Sequence, residues 1–317
     1  MNNYAIEAKD LTKKFGEFTA VDHVNFVVHK REILGFLGAN GAGKSTTIRM
    51  LCGLLSSSSG TATVAGFDIN REPELVKQNI GYMSQKFSLY EDLTVKENIE
   101  FFGGVYGLSR AELKERGNWA VAMAGLKGRE HSLARELAGG WKQRLALGCA
   151  VLHQPQIVFL DEPTGGVDPV SRRNFWELIN KLSEQGTTVL VTTHYLDEAE
   201  YCNRIMLIHA GKLIAGGSPK ELKEAHIKNP ILEVECERVV EALELLQKQD
   251  WVLETTIFGT YLHVSVAEEP GGRKKIAETL AGKNIALQRI ERIAPSLEDV
   301  FIHLIEEVGP QNNRSGS

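Results

Sequence analysis

The spacing of apolar and polar positions changes character several times along the chain. Residues 4–30 alternate apolar and polar side chains (Ala5, Glu7; Val24, Phe26, Val28), the period that predicts antiparallel strands with one buried face. Residues 32–37 (EILGFL), 156–161 (QIVFLD) and 187–193 (TTVLVTT) are instead continuous apolar runs. Alternation disappears when neither face meets water, so these runs predict strands buried on both faces of a parallel sheet. Residues 46–55 (TTIRMLCGLL) predict a helix, and residues 171–182 a crossover helix between the second and third runs. A Ser-rich turn at 56–60 leads into a short strand at 61–65, and residues 80–84 read as another strand. Residues 94–153 are mostly helical in pattern, and Thr94 with Glu97 has the spacing of a capping box.

Composition shifts near residues 217–230, where Gly216, Gly217, Ser218 and Pro219 close one domain (1–219) and a second (220–306) begins. The second domain reads as a strand (231–236), a helix (239–249), two strands (251–257 and 261–266) turning at Gly259, a helix (273–281) and a strand (285–293). That order, β-α-β-β-α-β, is the ferredoxin-like pattern. Residues 296–305 predict a closing amphipathic helix, and residues 307–317 a polar, disordered tail.

The 317 residues suffice for one large domain and one small one. A hydrophobic content of 43% with 24% charged residues is that of a soluble globular protein. Net charge is −5 and no Lys/Arg tract occurs, so no nucleic-acid partner is expected. The N-terminal residues lack a basic-then-apolar signal pattern, and no apolar run is long enough to span a bilayer. The cysteines (Cys52, Cys149, Cys202, Cys236) are scattered and form no C-x-x-C pair, which reads as buried thiols in a reducing cytosol.

The chemistry centres on Gly38-Ala39-Asn40-Gly41-Ala42-Gly43-Lys44-Ser45-Thr46. This matches G-x-x-x-x-G-K-[ST], a loop whose backbone N–H groups wrap a polyphosphate. Gly38, Gly41 and Gly43 remove side chains that would block that approach. Lys44 can reach the β/γ-phosphates, and the Ser45 hydroxyl can ligate Mg²⁺. The preceding strand and following helix provide the context, with the helix N-terminus facing the anion. Phosphoryl transfer also needs a metal, a placed water and a base. Asp161, delivered by a buried strand, can hold the Mg²⁺ shell, and Glu162 can polarise the attacking water. His194, at the end of the next buried strand, can orient water and γ-phosphate, and Gln85 can bind Mg²⁺ or water through its amide oxygen.

In this order the motifs resemble the ATP-binding subunit of an ABC (ATP-binding cassette) transporter, over residues 4–217. Gly38 to Ser45 resembles the Walker A motif, Gln85 the Q-loop, and residues 157–161 the Walker B motif. Glu162 resembles the catalytic glutamate, His194 the switch histidine and Asp168 the D-loop acid. Leu137-Ala138-Gly139-Gly140-Trp141-Lys142-Gln143-Arg144 resembles the signature region, and Phe15 the aromatic that stacks on adenine, with Phe18 the less favoured candidate. The resemblance implies an α/β P-loop NTPase cassette with a mixed-sheet core, an antiparallel β subdomain and a helical subdomain at about residues 90–153. It implies ATP and Mg²⁺ as cofactors, with Ser45, Gln85 and Asp161 at the metal and Lys44, Glu162 and His194 catalytic. It also implies two cassettes, expected as a homodimer, that sandwich ATP. Ala138, Gly139, Gly140 and Trp141 would act in trans, at the N-terminus of a helix running from 141 to 153. The stretch from Tyr82 to Val95 and the terminal Ala294-Pro295-Ser296-Leu297-Glu298-Asp299-Val300-Phe301 resemble the ABC-2-type, daunorubicin-type exporters. Such systems pair the ATPase with a separate transmembrane permease, which would hold this chain peripherally on the cytoplasmic face.

Ala138 stands where the resemblance expects serine, and Trp141 where it expects glutamine. Losing the serine's hydrogen bond to phosphate costs about 1.5–3 kcal/mol of closed-dimer stabilisation. Three outcomes stay open: the backbone N–H groups suffice, the homodimer hydrolyses weakly, or the cassette is a nucleotide-responsive clamp. Two other functions also compete with export. One is an importer ATPase whose C-terminal domain senses substrate; the other is a soluble ABC ATPase outside transport.

Overall fold

The computed structural model describes residues 3–85 and 89–308, with side chains to residue 305. Lys86, Phe87 and Ser88 of the stretch after Gln85, and the expected tail from residue 309 onward, lie outside the described residues. The chain divides into two compact units, Met1–Pro219 and Lys220–Ser317.

The first unit begins β1 (Tyr4–Phe15), β2 (Phe18–His29), β3 (Ile33–Leu37), α1 (Lys44–Leu51), β4 (Ser59–Val64), β5 (Phe67–Asp68), α2 (Pro73–Asn79) and β6 (Ile80–Met83). Then come α3 (Val95–Val105), α4 (Arg110–Met123), α5 (Gly139–Ala150), β7 (Ile157–Asp161), α6 (Pro169–Glu184), β8 (Thr188–Thr193), α7 (Leu196–Ala199), β9 (Arg204–His209) and β10 (Lys212–Gly217). β1, β2, β4 and β5 form an antiparallel sheet in the order β2-β1-β4-β5. The six-stranded sheet runs β10-β9-β3-β8-β7-β6, parallel except for β10. Every residue of β3, β7 and β8 is buried, as their unbroken apolar runs require.

Parallel register aligns the C-terminal ends of these strands. Leu37 pairs with Thr193, Asp161 with Thr192, and Leu160 with Met83. The loops that follow therefore emerge along one edge of the sheet, where open α/β folds place their ligands. α3, α4 and α5 pack on one another as a helical subdomain with its own core, including Ile99, Ala120, Leu145 and Cys149. The capping box at Thr94 is present: its Oγ accepts from the Glu97 amide at 3.2 Å, and Glu97 Oε2 accepts from the Thr94 amide at 2.8 Å.

α8 (Pro219–His226) starts at the last residue of the first unit, and the second unit continues through β11 (Ile231–Cys236), α9 (Val239–Leu246), β12 (Val252–Phe258), β13 (Tyr261–Val266), α10 (Glu269–Ala281), β14 (Leu287–Ile293) and α11 (Leu297–Val308). The sheet order β12-β13-β11-β14, antiparallel throughout, is the ferredoxin-like arrangement. Leu232, Val234, Leu262 and Val264 face Ala242, Leu246, Ile276 and Leu280 of the two helices to form its core. α11 continues to Val308, past the residue 307 at which a disordered tail was expected. No helix among the described residues is long and apolar enough to cross a membrane.

Candidate active site

β3 ends at Leu37, and the glycine-rich loop that follows carries the chain into α1. Two of its glycines are dictated by packing: a Cβ on Gly38 would lie 2.3 Å from the Ile208 carbonyl oxygen, and one on Gly43 would lie 2.5 Å from that of Ala20. Gly43 also holds φ at +107°, a value that L side chains rarely adopt. Gly41, at φ +80°, would meet nothing within 4 Å, so the loop's outer rim is open to a ligand. α1 begins at Lys44, two residues before the expected start at Thr46, because Gly43 already serves as its N-cap. Thr46 is half-buried, Ala42 buried, and Ala39 and Asn40 exposed.

Lys44 folds back into the loop. Its ammonium donates to the carbonyls of Gly38 (2.8 Å) and Ala39 (3.1 Å) and stands 3.2 Å from Glu162 Oε1. The Lys44 and Glu162 side chains are only 4% and 9% exposed, so their charges meet in a poorly solvated setting. Glu162 collects further partners. Gln85, just past β6, donates its amide to Glu162 Oε2 at 3.0 Å, and His194 Nδ1 lies 3.3 Å from the same oxygen. The Glu162 backbone is held left-handed, at φ 48°, a conformation that costs a non-glycine residue about 1–2 kcal/mol. Thr192 locks it there: the Glu162 amide donates to the Thr192 hydroxyl at 2.9 Å and to its carbonyl at 3.1 Å.

Asp161 takes a different direction. Its Oδ1 accepts from Ser45 Oγ at 2.9 Å and from Thr192 Oγ1 at 2.7 Å. A carboxylate beside a hydroxyl is an oxygen donor set suited to a hard divalent cation, so these residues fit Mg²⁺. Burial, then the Asp161 charge, pushes the Tyr82 phenol up to about 12 and the Cys52 thiol well above its usual range. Burial likewise raises the thiols of Cys149, Cys202 and Cys236, which disfavours the reactive thiolate at all four buried cysteines.

The structure thus brings Lys44, Ser45, Gln85, Asp161, Glu162 and His194 together. The signature residues lie elsewhere on the same unit. Ala138, exposed, is the N-cap of α5 and contributes no side-chain cap. The helix opens at Gly139 and ends at Ala150, not 141 to 153 as the pattern suggested. Gly139 is unobstructed, whereas a Cβ on Gly140 would come within 2.4 Å of Ser171 Oγ. Trp141 is half-buried against the helical-subdomain core beneath Arg129, whose guanidinium sits 4.1 Å from its ring. Asp168 caps α6 by accepting from the Ser171 amide at 2.9 Å, and the hydrogen bonds from Ser171 hold its carboxyl below its ordinary range. Phe15 is 51% exposed beside Lys13, and Phe18 64% exposed.

Comparison with known proteins shows the family of the chain. Over 94% of the chain and 97% of the relative, the sequence is 34% identical to the linearmycin resistance ATP-binding protein LnrL of Bacillus subtilis (strain 168). The chain belongs to the ABC transporter ATP-binding proteins. Residues 21–165 match the ABC transporter family, and residues 217–305 the family described as ATP-binding protein DrrA1-3-like, C-terminal domain. The probable multidrug ABC transporter ATP-binding protein YbhF of Escherichia coli (strain K12) is 56% identical over 69% of this chain, which spans 38% of that relative's length. Among solved structures, the dimeric, post-hydrolysis ATP-binding cassette MJ0796 with ADP and Pi superposes with a TM-score of 0.62. That match is 28% identical over 67% of this chain and 98% of the other.

Two residues to which the sequence reading assigned no role of their own support the site. Thr192 supports both Asp161 and Glu162, yet in sequence it is one more β-branched residue of a buried strand. Gln143 of α5 is buried and donates to the Pro163 carbonyl, tying the signature helix to the turn after Glu162. Its signals were its place in the signature region and a polar residue on the buried side of a helix.

Proposed function

We propose that this protein binds ATP with Mg²⁺ and hydrolyses it to power export through a separate membrane permease. The observation that carries the reading is the convergence of Lys44, Gln85 and His194 on the Glu162 carboxylate, beside the Ser45–Asp161 pair. Lys44 and the loop amides bind the β- and γ-phosphates, and Phe15 offers an exposed ring to the adenine. Ser45 and Asp161, with Gln85, would hold Mg²⁺, which supplies charge neutralisation at the phosphates when bound. Glu162 accepts a proton from water as that water's oxygen bonds to the γ-phosphorus and the bond to the ADP oxygen breaks. His194 and Gln85 hold the Glu162 side chain and the water in line.

A second cassette, in a homodimer, completes the site by presenting Ala138, Gly139, Gly140 and Trp141 at the α5 N-terminus, with Asp168 at the dimer interface. The Gly139 and Gly140 N–H groups and the helix dipole favour the γ-phosphate there, whereas the Trp141 amide donates to the Ala138 carbonyl at 2.9 Å. ATP holds the dimer closed and hydrolysis opens it, and the segment after Gln85 passes the motion to the permease on the cytoplasmic face. The dimeric state of MJ0796 with ADP and Pi supports the pairing, and the names of LnrL, a linearmycin resistance protein, and of YbhF, a probable multidrug transporter protein, support a role in drug export. A ferredoxin-like accessory unit of the DrrA1-3-like family favours this reading over an importer sensor.

The test is direct. The purified full chain is assayed for phosphate release with Mg-ATP, and gently solubilised membranes carrying the tagged chain are searched for a co-purifying polytopic protein. Hydrolysis together with such a partner supports the reading. Hydrolysis with recovery only alongside soluble assemblies overturns the transport half, and absence of hydrolysis overturns the enzymatic half.

A further inference from the structure

Behind the catalytic edge lies a buried ion pair that the chemistry above does not use. Glu198, on α7, is fully buried, and Arg172, in the first turn of α6, is only 19% exposed. Arg172 Nε stands 3.4 Å from Glu198 Oε1, and Arg172 Nη1 stands 3.4 Å from Asp197 Oδ2. Replacing such a pair by well-packed apolar residues is often neutral or stabilising, so stability alone is a poor account of its presence.

Its surroundings suggest another. The Thr193 hydroxyl donates to Glu198 Oε2 at 2.8 Å and accepts from the Tyr195 amide at 2.9 Å. On one side of His194, Thr193 is therefore pinned to the Glu198 carboxylate, and on the other Tyr195 is held to it through the Thr193 hydroxyl. The Arg172 guanidinium also covers the Tyr195 ring at 4.2 Å, and that ring lies 4.1 Å from the His194 imidazole. At its other end, the Arg172 amide donates to the Asp168 carbonyl at 2.9 Å. The first turn of α6, which carries Asp168, and the turn that carries His194 are thus joined through Arg172 and Glu198.

The joint is not saturated. Arg172 Nε and Glu198 Oε1 are both buried without a hydrogen-bond partner, so the pair meets at ion-pair distance only. Burial pushes the Glu198 carboxyl up, while the Thr164 and Thr193 hydroxyls and the Arg172 charge oppose it. A displacement of α6 by a few tenths of an ångström would therefore alter the contact strongly.

We propose that Arg172 and Glu198 are positioning residues for His194: together they set its imidazole against Glu162 and couple that setting to the Asp168 turn. The proposal rests on the reading of His194 as a catalytic residue.

Glu198→Gln tests it, because the amide oxygen can still accept from Thr193 while the charge facing Arg172 is lost. In the full chain we expect kcat for ATP to fall about tenfold, since small misplacements of catalytic groups are costly. KM should stay within about twofold, and the melting temperature near wild type. The His194 ring resonance, assigned by its loss in His194→Ala, should shift in Glu198→Gln. Adding Glu198→Gln to His194→Ala should cost nothing further in kcat, because the first change acts through the second. Arg172→Lys keeps the charge but loses the planar cover over Tyr195 and should show an intermediate loss; it carries the test if Glu198→Gln does not fold. An unmoved His194 resonance with unchanged kcat, or a loss that multiplies in the double variant, overturns the proposal. Full activity in His194→Ala alone would instead overturn the reading on which it rests.

Discussion

The Lys44 ammonium and the Glu162 carboxylate, 118 positions apart in the chain, stand 3.2 Å apart and almost out of solvent. Each is the other's counter-charge, and each is an element of the phosphoryl-transfer chemistry proposed for this site. A phosphate entering the loop would compete for Lys44 and release Glu162 toward water. Glu162→Gln keeps the shape and loses the basicity. We expect turnover to fall on the order of 10²–10⁴-fold, with ATP binding retained and an ATP-dependent dimer visible by size-exclusion chromatography. Wild-type hydrolysis in that variant would show that the base is another group.

Thr192→Val should be costly for its size. It removes the donor to Asp161 and leaves the strained Glu162 amide with only the Thr192 carbonyl. The expected destabilisation of the first unit is about 2–3 kcal/mol, read by urea unfolding, with a drop in kcat as Glu162 loses its anchor. Unchanged stability would mean that the two hydrogen bonds are dispensable.

The two signature glycines serve different ends. Gly140→Ala must displace Ser171 and should lower the melting temperature of the chain even without nucleotide. Gly139→Ala meets open space and should leave the melting temperature unaltered, while weakening ATP-dependent dimerisation of Glu162→Gln protein. Equal thermal effects would contradict this division.

Ala138→Ser restores a side-chain cap to α5, worth about 1 kcal/mol, and a hydroxyl toward the partner's phosphate. ATPase activity should rise or stay level. A large fall would show that Ala138 is matched to the inward-packed Trp141.

In the second unit, Asp299 Oδ1 meets His263 Nδ1 at 2.8 Å, and Oδ2 accepts from the Ser296 amide and hydroxyl, both at 2.7 Å. Burial alone would raise the Asp299 carboxyl, but the bonds from His263 and Ser296 outweigh it and hold the carboxyl below 3.8. A depressed folded-state value contributes stability above the unfolded pKa and loses it as pH falls through the folded one. Asp299→Asn should therefore destabilise this unit by about 1–2 kcal/mol near neutral pH, with the gap to wild type closing below pH 3.8. Urea unfolding at both pH values, read by peptide-resolved labelling of α11, measures it; a gap that persists in acid would assign the effect to packing.

Much of this protein was legible along the chain because its signals are local. The alternation of β1 and β2, the apolar runs of β3, β7 and β8, and the capping box at Thr94 each reflect a burial pattern or hydrogen bond within a few residues. The same holds for Gly38 to Ser45, where residue type and spacing alone specify a phosphate loop. Helix ends were read less well: α5 opens at Gly139 because Ala138 can cap with its backbone alone, and α1 at Lys44 because a left-handed Gly43 precedes it.

What the tertiary structure alone decided is which of those local features meet. Parallel pairing of β3, β8, β7 and β6 aligns strand ends that are far apart in sequence, and that alignment gathers Lys44, His194, Glu162 and Gln85 at one carboxylate. Thr192 beneath Asp161, Gln143 on the Pro163 carbonyl and Arg172 against Glu198 are contacts of the same kind. Their residue types do not name these partners in sequence, because a buried polar group declares its purpose only through the partner that compensates its burial, and that partner is brought by the fold.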